Sequence, residues 1–193
     1  MDPIYRNIAR GCFPQAHIVV DHFHVIALAL RKMDQLRRIH QTLYRKKFSV
    51  RKILMKPIHK LEKKEYERLE RCFERFPEIK TAWKIVHQLR KVYWQKDWRK
   101  ASSQLRKVIW LCDQSCLEEM QSLAKTLRKW KIEVLNYYLS QTTNAYTEAI
   151  HSRFETIKRY HCGIRNIERF AKRLLFCLTP FSIITSIFTQ RIY

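Results

Sequence analysis

Glu148 is a lone acid at the start of a segment that turns strongly basic, Thr143-Asn144-Ala145-Tyr146-Thr147-Glu148-Ala149-Ile150-His151-Ser152-Arg153-Phe154-Glu155-Thr156-Ile157-Lys158-Arg159. A carboxylate in that setting could hold a divalent metal ion against a nucleic-acid backbone, because hard cations take oxygen ligands while flanking cations neutralise phosphate. The acid also has an ordinary explanation: the positive end of a helix macrodipole favours an exposed glutamate in the first turn. The cations around and beyond it, Arg153, Lys158, Arg159, Arg165, Arg169, Lys172 and Arg173, read either as a solvated face or as phosphate contacts. The charge excess of the chain as a whole favours phosphate contact.

A helix must carry the acid. Asn144 is a good N-cap residue, and at about 100° per residue Glu148, Ser152, Glu155 and Arg159 share one face while Ile150, Phe154 and Ile157 share the other. Upstream, Pro3 and the Ile4/Ile8 pair predict a short amphipathic helix over residues 2–11, ended by Phe13-Pro14. The β-branched run His17-Ile18-Val19-Val20 predicts a strand. From Val25 to Lys46 the periodicity is helical, with Leu28, Met33, Leu36, Ile39 and Leu43 inward and Arg31, Lys32, Arg37 and Arg38 outward. Further amphipathic helices are predicted over 60–75, 78–93, 97–110 and 115–139, with breaks at Pro57, Pro77, Gln95-Lys96-Asp97 and Asp113-Gln114-Ser115. Trp83, Trp94, Trp98, Trp110 and Trp130 fit the core or rim of a helical bundle better than a base-stacking platform.

The 193 residues are 46% hydrophobic and suffice for a real core. A formal charge of +22 exceeds what solubility needs and favours a polyanionic partner. With only Gly11 and Gly163 present, a Walker loop and a dinucleotide fingerprint are excluded. The six cysteines lack zinc-site spacing and read as reduced, mostly buried thiols of a cytosolic protein. The opening Met1–Arg6 has no apolar leader core, so secretion is not expected. The apolar stretch 174–189 is interrupted by Pro180 and is shorter than the roughly 20 residues of a membrane span, so membrane insertion is not expected either.

Six stretches resemble a known family. Thr143–Ile150 with Thr156-Ile157-Lys158-Arg159 and Gly163-Ile164-Arg165-Asn166-Ile167-Glu168-Arg169-Phe170 is similar to the C-terminal signature of the ISL-three group of bacterial insertion-sequence DDE transposases. Phe13–Val25, in which a strand ends in Asp, two residues, then His, resembles the same group, as do Leu123–Trp130 and Val134–Tyr138. The resemblance implies a mostly α chain with a partial RNase H-like core, one strand plus flanking helices, interrupted by a long all-helical insertion. It divides the chain into core elements over 1–30, the insertion over 31–140, core helices over 141–178 and an apolar tail over 179–193 that is not typical of the group.

By resemblance, Glu148 is the third acid of a DDE triad and a ligand of Mg²⁺ or Mn²⁺, with Asn144 and Thr147 shaping the turn before it. Asp21 and His24 become a structural pair closing the strand-to-helix turn; on residues alone, Asp-x-x-His is a weak metal signal. The first two acids are expected upstream of Met1, so the chain reads as a C-terminal fragment inactive by itself. The implied partners are transposon-end and target DNA and further copies of the chain, with no small-molecule substrate, at the bacterial nucleoid in the cytoplasm. A non-enzymatic basic DNA-binding protein derived from a transposase, and a membrane-surface protein acting through its tail, are the competing readings.

Overall fold

The computed structural model describes residues 3–43, 50–140, 145–160 and 166–179. The chain divides into two compact units, residues 1–142 and 143–193.

Four helices form the body of the first unit: α2 (His22–Leu43), α5 (Pro77–Val92), α6 (Trp98–Gln114) and α7 (Glu118–Lys129). α2 packs on α5 and α7, and α6 packs on the same two, so the four close a bundle in which each touches two neighbours. Its interior is filled by apolar residues at helical spacing, among them Val25, Ala29 and Met33 of α2, Ile79, Val86 and Leu89 of α5, Leu105 and Val108 of α6, and Met120, Leu123 and Leu127 of α7. Local chemistry sets the helix ends. Pro77 occupies the first turn of α5, and the Asp97 carboxylate accepts from the Lys100 amide at 3.2 Å to open α6. A reciprocal capping box between Glu62 and Glu65 opens α4 (Lys63–Arg75), which lies on α5 through the Phe73–Trp83 ring pair at 5.3 Å. α1 (Pro3–Cys12), α3 (Arg51–Met55), α8 (Lys131–Leu135) and α9 (Tyr137–Ser140) complete this unit. α3 and α5 are joined where Arg90 donates to the Met55 carbonyl at 2.9 Å.

The helix predictions hold to within a few residues at most ends; the short α3 has no counterpart among them. The strand does not form. Residues 17–20 carry no ladder, and no strand exists among the described residues. A strand needs a neighbour, and here the segment finds a helix instead: the Val20 amide donates to the Glu133 carbonyl at 2.9 Å, and Asn136 donates to the Ile18 carbonyl at 2.9 Å. An RNase H-like core is therefore not seen in the described residues. The single helix expected over 115–139 begins only after the left-handed Cys116 (φ 53°) and is interrupted at Trp130 and Asn136, which divide it into α7, α8 and α9.

Two face assignments also change. Ile39 and Leu43 are exposed, whereas Arg37 is buried, because it is paired with the buried Asp34. Trp83 and Trp130 enter the core, while Trp94, Trp98 and Trp110 are largely exposed. Of the cysteines, Cys72 and Cys112 are buried and Cys12, Cys116 and Cys177 are exposed; all five are free thiols, and Cys162 lies outside the described residues.

The second unit contains α10 (Ala145–Tyr160) and α11 (Ile167–Leu178), which pack on each other. Among the described residues, no helix is long and apolar enough to cross a membrane. The tail beyond residue 179 lies outside the described residues.

Candidate functional site

α10 buries one side only partly. Ile150, Phe154 and Ile157 are half-buried, and Phe154 meets Phe170 of α11 edge-on at 5.8 Å between ring centroids. His151 stacks on Phe154 at 6.3 Å, and Leu174 of α11 is buried. Asn166 caps α11 by accepting from the Arg169 amide at 3.1 Å. The Phe154–Phe170 contact thus fixes one face of α10 and leaves another to solvent.

Glu148 lies in the first turn of α10 and is exposed, as are Ser152 and Arg159 farther along the same face; Glu155 is half-buried. Arg153, Lys158, Arg169, Lys172 and Arg173 are exposed as well. The two helices thus carry six described cations against three acids, Glu148, Glu155 and Glu168. At a helix N-terminus the acid meets the positive end of the dipole, and Lys158 and Arg159 meet the negative end. Asn144 and Arg165 lie outside the described residues, and Thr147 falls within the first turn of α10.

Asp21 and His24 meet at the start of α2. Asp21 Oδ1 accepts from the Phe23 amide at 2.8 Å, and the Asp21 carbonyl accepts from the His24 amide at 3.1 Å, so Asp21 acts as the cap of that helix. His22 packs its ring 5.6 Å from those of both Tyr93 and Tyr137. Its Nδ1 stands 3.2 Å from Asp21 Oδ1. Burial, followed by the influence of Tyr138, Asp21 and Tyr137, drives the Tyr93 hydroxyl far above its ordinary range, so it stays protonated.

The described residues do not make up a complete metal site. Among them no three His, Cys, Asp or Glu side chains gather where they could hold an ion. Glu155, two helical turns from Glu148, is about 10 Å along the axis at 1.5 Å per residue, well beyond the roughly 4 Å between ions of a two-metal centre. Glu148 is thus an exposed carboxylate in the first turn of α10 that belongs to no cluster of three or more such groups among the described residues.

The sequence reading missed a charge cluster in the first unit. Asp34, 6% exposed, receives Arg37 at 2.8 Å, Arg38 at 3.1 Å and Arg51 at 3.2 Å. The spacing Asp34/Arg37/Arg38 is an i, i+3, i+4 pattern that signals such pairing, whereas Arg51 comes from another helix and leaves no local trace.

No curated protein and no solved structure matches the chain. A family profile described as a transposase, of the ISL-three DDE type, matches residues 1–174. The match spans both units and runs through Asp21, His24, Glu148, Arg159 and Arg173. This chain belongs to the ISL-three group of DDE transposases.

Proposed function

We propose that the chain takes part in DNA transposition by phosphodiester hydrolysis and strand transfer, with Glu148 as one carboxylate of a divalent-metal site and its basic neighbours holding the DNA backbone. The observation that carries this reading is the exposed Glu148 in the first turn of α10, within the matched region and among exposed cations. When bound, Mg²⁺ or Mn²⁺ would supply the charge that activates a nucleophile and stabilises a leaving oxygen. The chain's own residues do the rest: Arg153, Lys158, Arg159, Arg165, Arg169, Lys172 and Arg173 hold phosphates, and the Phe154–Phe170 contact keeps one face of α10 from turning toward solvent. Asp21 and His24 act structurally, closing the turn into α2. The chain alone is expected neither to cut nor to join DNA. It works as an oligomer on chromosomal and element DNA in the cytoplasm.

Iron-directed cleavage tests the metal role without requiring turnover. Fe²⁺ replaces Mg²⁺ at oxygen sites, and with ascorbate and peroxide it cuts the polypeptide nearby. In the presence of duplex DNA, cuts are expected within a few residues of Glu148, suppressed by excess Mg²⁺ and lost in Glu148→Ala. Cuts that persist in the variant, or none in the wild type, refute the assignment. Mg²⁺-dependent nicking by the chain alone would refute the expectation of inactivity.

The net charge favours a second reading, a DNA-binding protein without catalysis. It predicts salt-steep DNA binding whose response to Mg²⁺ is the same in Glu148→Ala as in the wild type.

A further inference from the structure

The Asp34 cluster borders an open cavity of about 410 Å³ lined by Leu30, Arg31, Asp34, Gln35, Arg38, Arg51 and Met55. Arg31, Arg38 and Arg51 line it with Asp34 as the one carboxylate, which pairs with Arg38 and Arg51 and also with the buried Arg37. The lining therefore keeps a positive excess.

Two of these arginines are held in a particular way. Arg38 and Arg51 each give Nε to Asp34, at 3.1 and 3.2 Å, and the terminal nitrogens of neither bond to another described residue. Their side chains are 69% and 59% exposed, whereas the Asp34 side chain is buried. One end of each guanidinium is fixed to a buried anchor while its terminal nitrogens stay open to solvent. Fixing the planar fork beforehand lowers the entropy lost on binding, and a two-nitrogen fork matches the spacing of phosphate oxygens. Arg31, seven residues before Arg38 on α2, adds a third cation on the same side of the helix.

We propose that this cavity is a phosphate-binding site, with Arg38 and Arg51 as the primary contacts and Arg31 as support. Asp34 is a positioning residue that orders the two forks. The phosphate comes either from a DNA backbone or from a free phosphate or diphosphate group; the chemistry at the guanidiniums is the same. The site lies in the first unit and does not depend on metal at Glu148, so the two assignments fail separately.

The test compares the full chain with Arg38→Ala/Arg51→Ala and with a control of equal charge loss, Arg71→Ala/Lys84→Ala, whose residues are exposed on α4 and α5. Duplex binding is measured by fluorescence anisotropy across a salt series, and thermal unfolding is measured with and without inorganic pyrophosphate. A DNA source predicts that the cavity variant loses about 1.8 from the salt slope, about 0.9 per phosphate contact, while the control loses markedly less. A free-phosphate source predicts that pyrophosphate raises the unfolding midpoint of wild type and control but not of the cavity variant. The proposal is overturned if the two variants share one salt slope and pyrophosphate shifts all three proteins equally or not at all. An unchanged midpoint of the cavity variant in the absence of phosphate verifies that its fold is retained.

Discussion

Replacing Asp34 by alanine removes one carboxylate from three arginines, and burial decides which loss matters. Arg38 and Arg51 are mostly exposed, so each pairing contributes about 0–1 kcal/mol. Arg37 is different: its side chain is 7% exposed, and without Asp34 a buried guanidinium keeps, among the described residues, only Gln41, whose Oε1 accepts at 2.7 Å. Breaking a buried pair from one side costs about 3–5 kcal/mol, and the Gln41 bond places the expectation near the lower end, about 3 kcal/mol. All five tryptophans lie between positions 83 and 130, so their fluorescence reports on the first unit alone. With a urea slope of about 1–3 kcal/mol per molar, the midpoint should fall by about 1–3 M. Arg38→Ala should move it by much less, and Asp34→Leu/Arg37→Leu should recover most of the loss by removing both charges together. A midpoint for Asp34→Ala equal to that of Arg38→Ala, or a double variant weaker than the single one, would refute the reasoning. The pair also has a pH signature. Burial pushes the Asp34 carboxyl up, but the Arg37 hydrogen bond and the charges of Arg37, Arg51 and Arg38 outweigh it and hold the group below its ordinary value of 3.8. A depressed carboxyl contributes stability that is present above 3.8 and is lost as pH falls through the folded-state value.

Two further expectations follow from buried groups. His87 is 6% exposed, lies edge-on to Trp83 at 4.2 Å, and its Nε2 has no hydrogen-bond partner among the described residues; burial first, then Arg90 and Lys91, lowers its pKa from 6.5 to about 4. The unfolded chain takes up that proton first, so stability declines as pH falls from 6.5 toward 4, by about 3 kcal/mol at 1.36 kcal/mol per unit. Urea midpoints of His87→Leu should lack this decline, and equal slopes in both proteins would count against it. The thiols should divide by exposure: Cys12, Cys116 and Cys177 react with a disulfide reagent in the native protein, whereas Cys72 and Cys112, the latter pushed up to about 12 by burial, react only on unfolding. Mass mapping of labelled peptides checks this, and rapid native labelling of Cys112 would contradict it.

The parts of the fold legible in the sequence were those determined by neighbours along the chain. Pro77 and Asp97 mark helix starts by their own chemistry, and the 3.6-residue period locates α5 and α6 within a few positions. What needed a distant partner was misread. The run His17–Val20 has strand composition, but its outcome depends on what lies beside it, and that is Glu133 and Asn136. Arg37 looked solvent-facing because a charge at a core position is read as surface until its counter-ion is known. The same limit holds at the candidate site. Glu148 was identifiable from its motif, and the partial burial of Ile150, Phe154 and Ile157 followed from periodicity, whereas the Arg51 contribution to the Asp34 cluster could be seen only in three dimensions.

The attachment of α1 has a consequence for the order in which the first unit assembles. α1 buries no residue of its own; Arg6 donates to the Lys129 carbonyl at 3.0 Å and sits over the Trp130 ring at 4.8 Å, and Arg10 donates to the buried Glu133 at 3.1 Å. Both bonds span 123 positions of the chain, nearly the full length of the unit. Closing so long a loop has no favourable contact until α7 and α8 are already in place to receive it, so α1 docks after the bundle has condensed. The same asymmetry runs in reverse: with charge and hydrogen bonds but no buried apolar side chains, α1 is the first element to lift away, and it does so without disturbing the helices beneath. Residues 3–12 thus behave as a latch on a finished body rather than as part of its frame.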